Sequence, residues 1–231
     1  ITLPALLLLV VLAATQAQGA AIVANHESAD QFSTIPATYF DTIRANYKFF
    51  YGHTSHGSQL VTGTEMLRWE DSDLYARVEM HEITDDLGHN GDTSWVAPTR
   101  SYLDANPDCN VVLWSWCGGA GDNTVQGIDI YLAAMTELEN SYPQVTFVYM
   151  TGHLEGGGEN DNLHRRNDQI REYCLDNDKV LFDFADIESY DPAGTYYPNG
   201  DDICEWCVDW CASNDCPQCG YCAHSHCFNC Y

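Results

Sequence analysis

Three Gly-His pairs, Gly52-His53, Gly88-His89 and Gly152-His153, stand just past apolar runs of the chain. His56 and Ser55 share the first of these loops, Gly52-His53-Thr54-Ser55-His56-Gly57-Ser58-Gln59. Imidazole titrates near neutrality, so it moves protons or binds metals, and glycine lets backbone approach a ligand closely. A serine hydroxyl becomes a nucleophile when a base lies within hydrogen-bond reach and donors face the developing oxyanion. Ser55 is the candidate nucleophile on those grounds. The competing role is a helix cap, for which serine is favoured. Ser58 suits that role better, because Gln59-Leu60-Val61 opens the next periodic run.

The loops need a frame. Short apolar runs at 47–51, 110–114, 145–150 and 180–184 predict buried strands, and 76–80 a weaker one. Ile128, Leu132, Met135 and Leu138 recur at helical spacing, as do Leu163, Ile170 and Cys174, with Asn162 as cap of the second helix. Another helix is expected after Pro36, capped by Ser33 or Thr34. Strands alternating with helices predict an α/β fold with a parallel sheet between two helical layers. In such sheets ligands bind beyond the carboxyl ends of the strands. The loops holding His53, His56, Gly88, His89, Ser115, Cys117 and His153 would all collect there.

Composition narrows the partners. The 231 residues carry 9 Lys+Arg against 34 Asp+Glu, a formal net charge of −25. Such a surface repels phosphate backbones and anionic headgroups, which argues against nucleic acid and membrane as partners. With 45% hydrophobic residues the chain has the material for a core. The run LLLLVVLAA over 6–14, followed by small residues, reads as a secretory signal peptide over 1–20. No other stretch approaches the ~20 apolar residues of a membrane helix. The missing initiator Met, and a cysteine pattern that runs to the last residues, read as a sequence truncated at both ends.

In the order of its elements, residues 45–190 resemble the SGNH (GDSL-like) hydrolases, a superfamily of esterases on a three-layer flavodoxin-like fold. Phe50-Tyr51-Gly52-His53-Thr54-Ser55 stands where that family carries Gly-Asp-Ser after its first strand. A strict match places Thr54 on the nucleophile position and Ser55 one residue later. Gly88 or Gly91 corresponds to the glycine whose N–H helps hold the oxyanion. Leu113-Trp114-Ser115-Trp116-Cys117-Gly118 takes the place of the Gly-x-Asn-Asp block without its Asn. His224 stands for the terminal histidine, with Tyr221 where the family has Asp. The resemblance implies ester hydrolysis in which Ser55 attacks, His224 takes the proton and Asp183 or Asp186 orients that His.

Eight of the eleven cysteines lie between Cys204 and Cys230, spaced C-x2-C-x3-C-x4-C-x2-C-x2-C-x4-C-x2-C. In a reducing compartment this would read as zinc; in an exported protein it reads as a disulfide-stapled appendage over 201–231, behind a main domain at 21–200. Staples would also serve to hold His224 in place. The expected protein is thus a secreted esterase-type hydrolase without a cofactor, acting on a small-molecule or carbohydrate ester. A metal-dependent hydrolase would gather His53, His56, His89 and His153 with Asp92 or Glu155 on one cation. A catalytically inactive glycan-binding relative would use Trp69, Trp95, Trp114 and Trp116 as stacking platforms. Arg165 and Arg166 would contact a substrate carboxylate or pair with neighbouring acids.

Overall fold

The computed structural model describes residues 20–202 together with 206, 207, 210 and 213. The signal segment lies outside these residues but for its last position, as does the cysteine cluster but for Cys207, and His224 lies outside them too. Six strands form one all-parallel sheet: β1 (Ile22–Ala24), β2 (Lys48–His53), β3 (Glu79–Thr84), β4 (Val111–Trp114), β5 (Thr146–Met150) and β6 (Val180–Phe182). Their spatial order is β1-β6-β5-β4-β2-β3. Between residues 20 and 202 seven α-helices accompany them: α1 (His26–Asp30), α2 (Ala37–Asn46), α3 (Ser58–Glu70), α4 (Val96–Ala105), α5 (Val125–Ser141), α6 (Asn162–Asp176) and α7 (Phe184–Ser189).

Alternation along the strands divides the core. Phe50, Val112, Trp114, Phe147 and Tyr149 face α4, α5 and α6, which contribute Leu103, Ile128, Met135, Leu163 and Ile170. Tyr51, Met150, Leu113 and Phe182 face the other way, against Leu60 and Val61 of α3 and Phe184 of α7. The result is a three-layer α/β architecture consistent with a flavodoxin-like fold. After β2 the chain turns one way to β3 and then back across to β4, so β2 and β4 flank the topological switch point, where such sheets open a crevice. Gly52 is required beside it: a Cβ there would overlap the buried Trp114 ring.

Several local expectations need correcting. Val180 opens a strand that ends at Phe182, because Asp183 accepts from the Asp186 N–H (3.3 Å) and starts α7. The strand expected at 76–80 runs instead from Glu79 to Thr84; it is an edge strand, so its polar outer positions mask the alternation. Pro36, not Ser33 or Thr34, occupies the N-cap of α2, and residues 32–34 form a separate 3-10 turn. Asn162 is the first residue of α6; the cap is Asp161, whose carboxylate accepts from the His164 N–H at 2.9 Å. β1 pairs with β6 at the sheet edge and is too short to show a period.

Candidate functional site

The turn after β2 is built with unusual care. Thr54 is extended, Ser55 adopts φ +38°, and a 3-10 turn over Ser55–Gly57 leads into α3. A left-handed serine is uncommon, and strain of this kind gathers at functional sites. Four hydrogen bonds hold it. Gly57 N–H donates to Thr54 O (2.8 Å), Ser58 Oγ to Ser55 O (2.6 Å), Tyr51 Oη to Gly57 O (2.9 Å) and Thr54 Oγ1 to the Asp86 carboxylate (2.9 Å). Ser58 therefore braces the turn rather than capping α3. A Cβ on Gly57 would fall 2.5 Å from His53 Cβ and overlap Ser115 Oγ, so strands β2 and β4 close on this turn.

Asp86 is the hinge between two loops. Its second oxygen accepts from the Gly88 N–H at 2.9 Å. That bond engages the donor expected to face an oxyanion, so Gly88 sets the loop's shape (φ +68°) instead of offering a free N–H. Leu87 N–H donates to Ser115 O, and Gly119 packs so tightly on Gly88 O that any Cβ would overlap it. Ser115 is buried, with its hydroxyl turned towards Gly57 and the Tyr51 hydroxyl. Cys117 is a half-exposed free thiol beside Gly118, whose φ is +73°. Asn162 reaches across to this loop, donating to Gly121 O (2.8 Å) and Asn123 O (2.7 Å). It is a strap on the β4–α5 connection.

His56 and His153 come together. Their rings stack with centroids 3.8 Å apart and planes 19° from parallel, and both residues are buried. His56 Nε2 lies 3.6 Å from Asp202 Oδ2. His153 Nδ1 is 2.9 Å from Leu154 O, which fixes that nitrogen as the donor and leaves the lone pair on Nε2. Burial lowers both pKa values, His153 to about 4 with His56 adding repulsion. Both imidazoles are therefore neutral at pH 7, the form that accepts a proton. Next to them, Leu154 N–H donates to Glu188 (2.9 Å), whose carboxyl burial raises to about 8. Partial burial, and then Asp161, Asp122 and Asp202, raise Glu155 to about 7.

The remaining histidines go elsewhere. His53 Nε2 is hydrogen-bonded to Glu82 (3.1 Å), with its Nδ1 buried and unpartnered, and His89 pairs with Asp122 (2.6 Å) on the surface. The loops after β2 and β5 thus meet while His53 and His89 point elsewhere, and among the described residues no group of three or more His, Cys, Asp or Glu is placed to hold a metal. Asp183 and Asp186 also have other work. Arg171 donates to Asp183 through Nε (2.7 Å) and Nη2 (2.8 Å), and Thr151 donates to it as well (3.0 Å). Asp186 accepts from His26 N–H and lies 2.5 Å from its Nδ1. Both carboxylates are thus engaged by described partners, and His224 lies outside the described residues.

Of the four tryptophans expected to stack on a glycan, Trp95, Trp114 and Trp116 are buried in the core and Trp69 is exposed. Arg165 donates to Asn160 O, and Arg166 is buried, its Nε without a hydrogen-bond partner among the described residues. Asp86, Asp202 and Glu188 escaped sequence reasoning, since an acid among 34 carries no signal until its neighbours are known. Fold and site together define an open parallel α/β protein in which the loops after β2 and β5 meet at the stacked His56 and His153. No protein-family model matches the chain, and no curated protein matches it significantly. Among the described residues no helix is long and apolar enough to cross a membrane.

Proposed function

We propose that this chain is an exported esterase-type hydrolase, a divergent relative of the SGNH hydrolases, cleaving an acyl ester carried on an extracellular carbohydrate. The observation that carries the reading is Ser55, held at φ +38° in a clamped strand-to-helix turn at the switch point. Ser55 Oγ attacks the acyl carbon and passes its proton to a neutral imidazole. The alcohol then leaves with that proton, and water hydrolyses the acyl-enzyme by the reverse relay. His224 is the base in this reading, with His56 and its neighbour Asp202 as the described alternative. Oxyanion donation falls to the Ser55 N–H and the Gly118-Gly119 backbone, because Gly88 is engaged by Asp86.

The test is p-nitrophenyl acetate turnover by the wild type and by Ser55→Ala, His56→Ala and His224→Ala, each with and without a chelator. The reading expects Ser55→Ala to lose at least about a thousandfold, one histidine variant to match it, and the chelator to change nothing. Full activity in Ser55→Ala, or loss of activity to the chelator alone, would overturn it.

A further inference from the structure

A cavity of about 330 Å³ opens between α2, α3 and the segment leading into β3. That volume is at the lower end for small-molecule sites. Phe32, Phe40, Ile43, Tyr75, Val78 and Met80 line it. Phe32, Phe40 and Tyr75 form an aromatic trio with centroids 5.0 to 5.8 Å apart. The lip is different in kind. Arg68 and Arg77 stand there with Glu65 and Glu82. Two of the chain's nine Lys and Arg residues therefore line one cavity in a protein of net charge −25.

The acids on the lip are already engaged. Glu65 accepts from Arg68 and, at 2.7 Å, from Arg77, and these bonds hold its carboxyl below the usual range. Glu82 is taken by His53 Nε2. Arg77 uses Nη2 for Glu65, and its side chain is 72% exposed, so the rest of its fork faces outward. A guanidinium fork presents several donors and matches a carboxylate. An apolar, aromatic-walled cavity with spare cationic donors at its mouth is complementary to an amphiphilic anion.

We propose that this cavity binds a medium-length aliphatic carboxylate, with its chain against Phe32, Phe40 and Tyr75 and its head on Arg77 and Arg68. The proposal does not depend on the hydrolase reading, because binding at this cavity requires nothing of Ser55. Titration calorimetry of the wild type, Arg77→Glu and Val78→Trp with hexanoate, octanoate, decanoate and decanol tests it. Saturable binding is expected, tightening about fourfold per added methylene as apolar surface is buried. Arg77→Glu, a surface change that leaves the fold intact, should weaken decanoate about tenfold and leave decanol unaffected. Val78→Trp fills the cavity and should abolish both, with circular dichroism confirming the fold. Absence of saturable decanoate binding to the wild type would overturn the proposal. So would undiminished decanoate affinity in Arg77→Glu or in a folded Val78→Trp.

Discussion

The His56 and His153 rings stack 3.8 Å apart, joining the loop after β2 to the loop after β5 across the switch point. Burial keeps both neutral, and His153 titrates at about 4 in the folded chain. A histidine whose folded pKa lies below its unfolded value of ~6.5 makes the unfolded state bind more protons between those values. Stability from this pair is therefore present above pH 6.5 and lost as the pH falls towards 4. His153→Gln is expected to flatten the fall in Tm over that window, measured by thermal melts at half-unit pH steps.

Glu188 works in the opposite sense. Its folded pKa of about 8 lies above the ordinary carboxylate value, so the folded state holds the extra proton. Stability is full below pH 4.5 for this group and is lost as the pH rises through 8. Glu188→Gln keeps an acceptor for the Leu154 N–H and removes the buried charge. We expect it to raise Tm at pH 8.5 and to change it little at pH 5. An equal shift at both values would show that ionisation of Glu188 is not the cause.

Asp183 offers a separation of roles. Arg171 grips it through two nitrogens, with the Asp183 side chain only 7% exposed. Removing one partner of such a pair typically costs about 3–5 kcal/mol. Asp183→Ala is expected to lower unfolding stability by a large part of that amount, read by urea denaturation. If Asp183 oriented a catalytic base instead, turnover would collapse with stability unchanged.

Gly57→Ala tests the packing around Ser55. The added methyl would press on His53, Ser115 and the Tyr51 hydroxyl, so the turn must shift. The expected cost is about 1–3 kcal/mol, the usual range for overpacking. Gly63→Ala on the same side of the sheet, where a Cβ meets nothing, serves as the neutral control.

Cys117 should be the most reactive of the three free thiols among the described residues. Cys109 and Cys174 are buried, and burial pushes Cys174 up to about 12. Thiolate is the nucleophile, so brief iodoacetamide treatment should label Cys117 first. Peptide mass spectrometry of the unreduced protein checks this.

Ile128, Leu132, Met135 and Leu138 announced the buried face of α5 because helical period and burial are the same fact read twice. Four of the six strands were legible for a similar reason: β2, β4, β5 and β6 lie within the sheet and are almost continuously apolar. Of the two edge strands, β1 was missed because it is three residues long, and β3 was read too early, at 76–80, because its polar positions blur the alternation. Ser55, His56 and His153 could be singled out as loop residues beyond strand ends, but their partners could not.

The sequence by itself determined which segments become strands and helices and which loops carry reactive groups, because those properties depend on neighbours a few residues away. Only the tertiary structure decided who meets whom. His26 finds Asp186 across 160 positions, Thr54 finds Asp86 across 32, and Asp183 finds Arg171 rather than a histidine. Such pairings depend on strand order and on competition among 34 acids for few cationic partners. Neither leaves a period or a spacing in the chain, so the three-dimensional packing alone assigns each charge its partner.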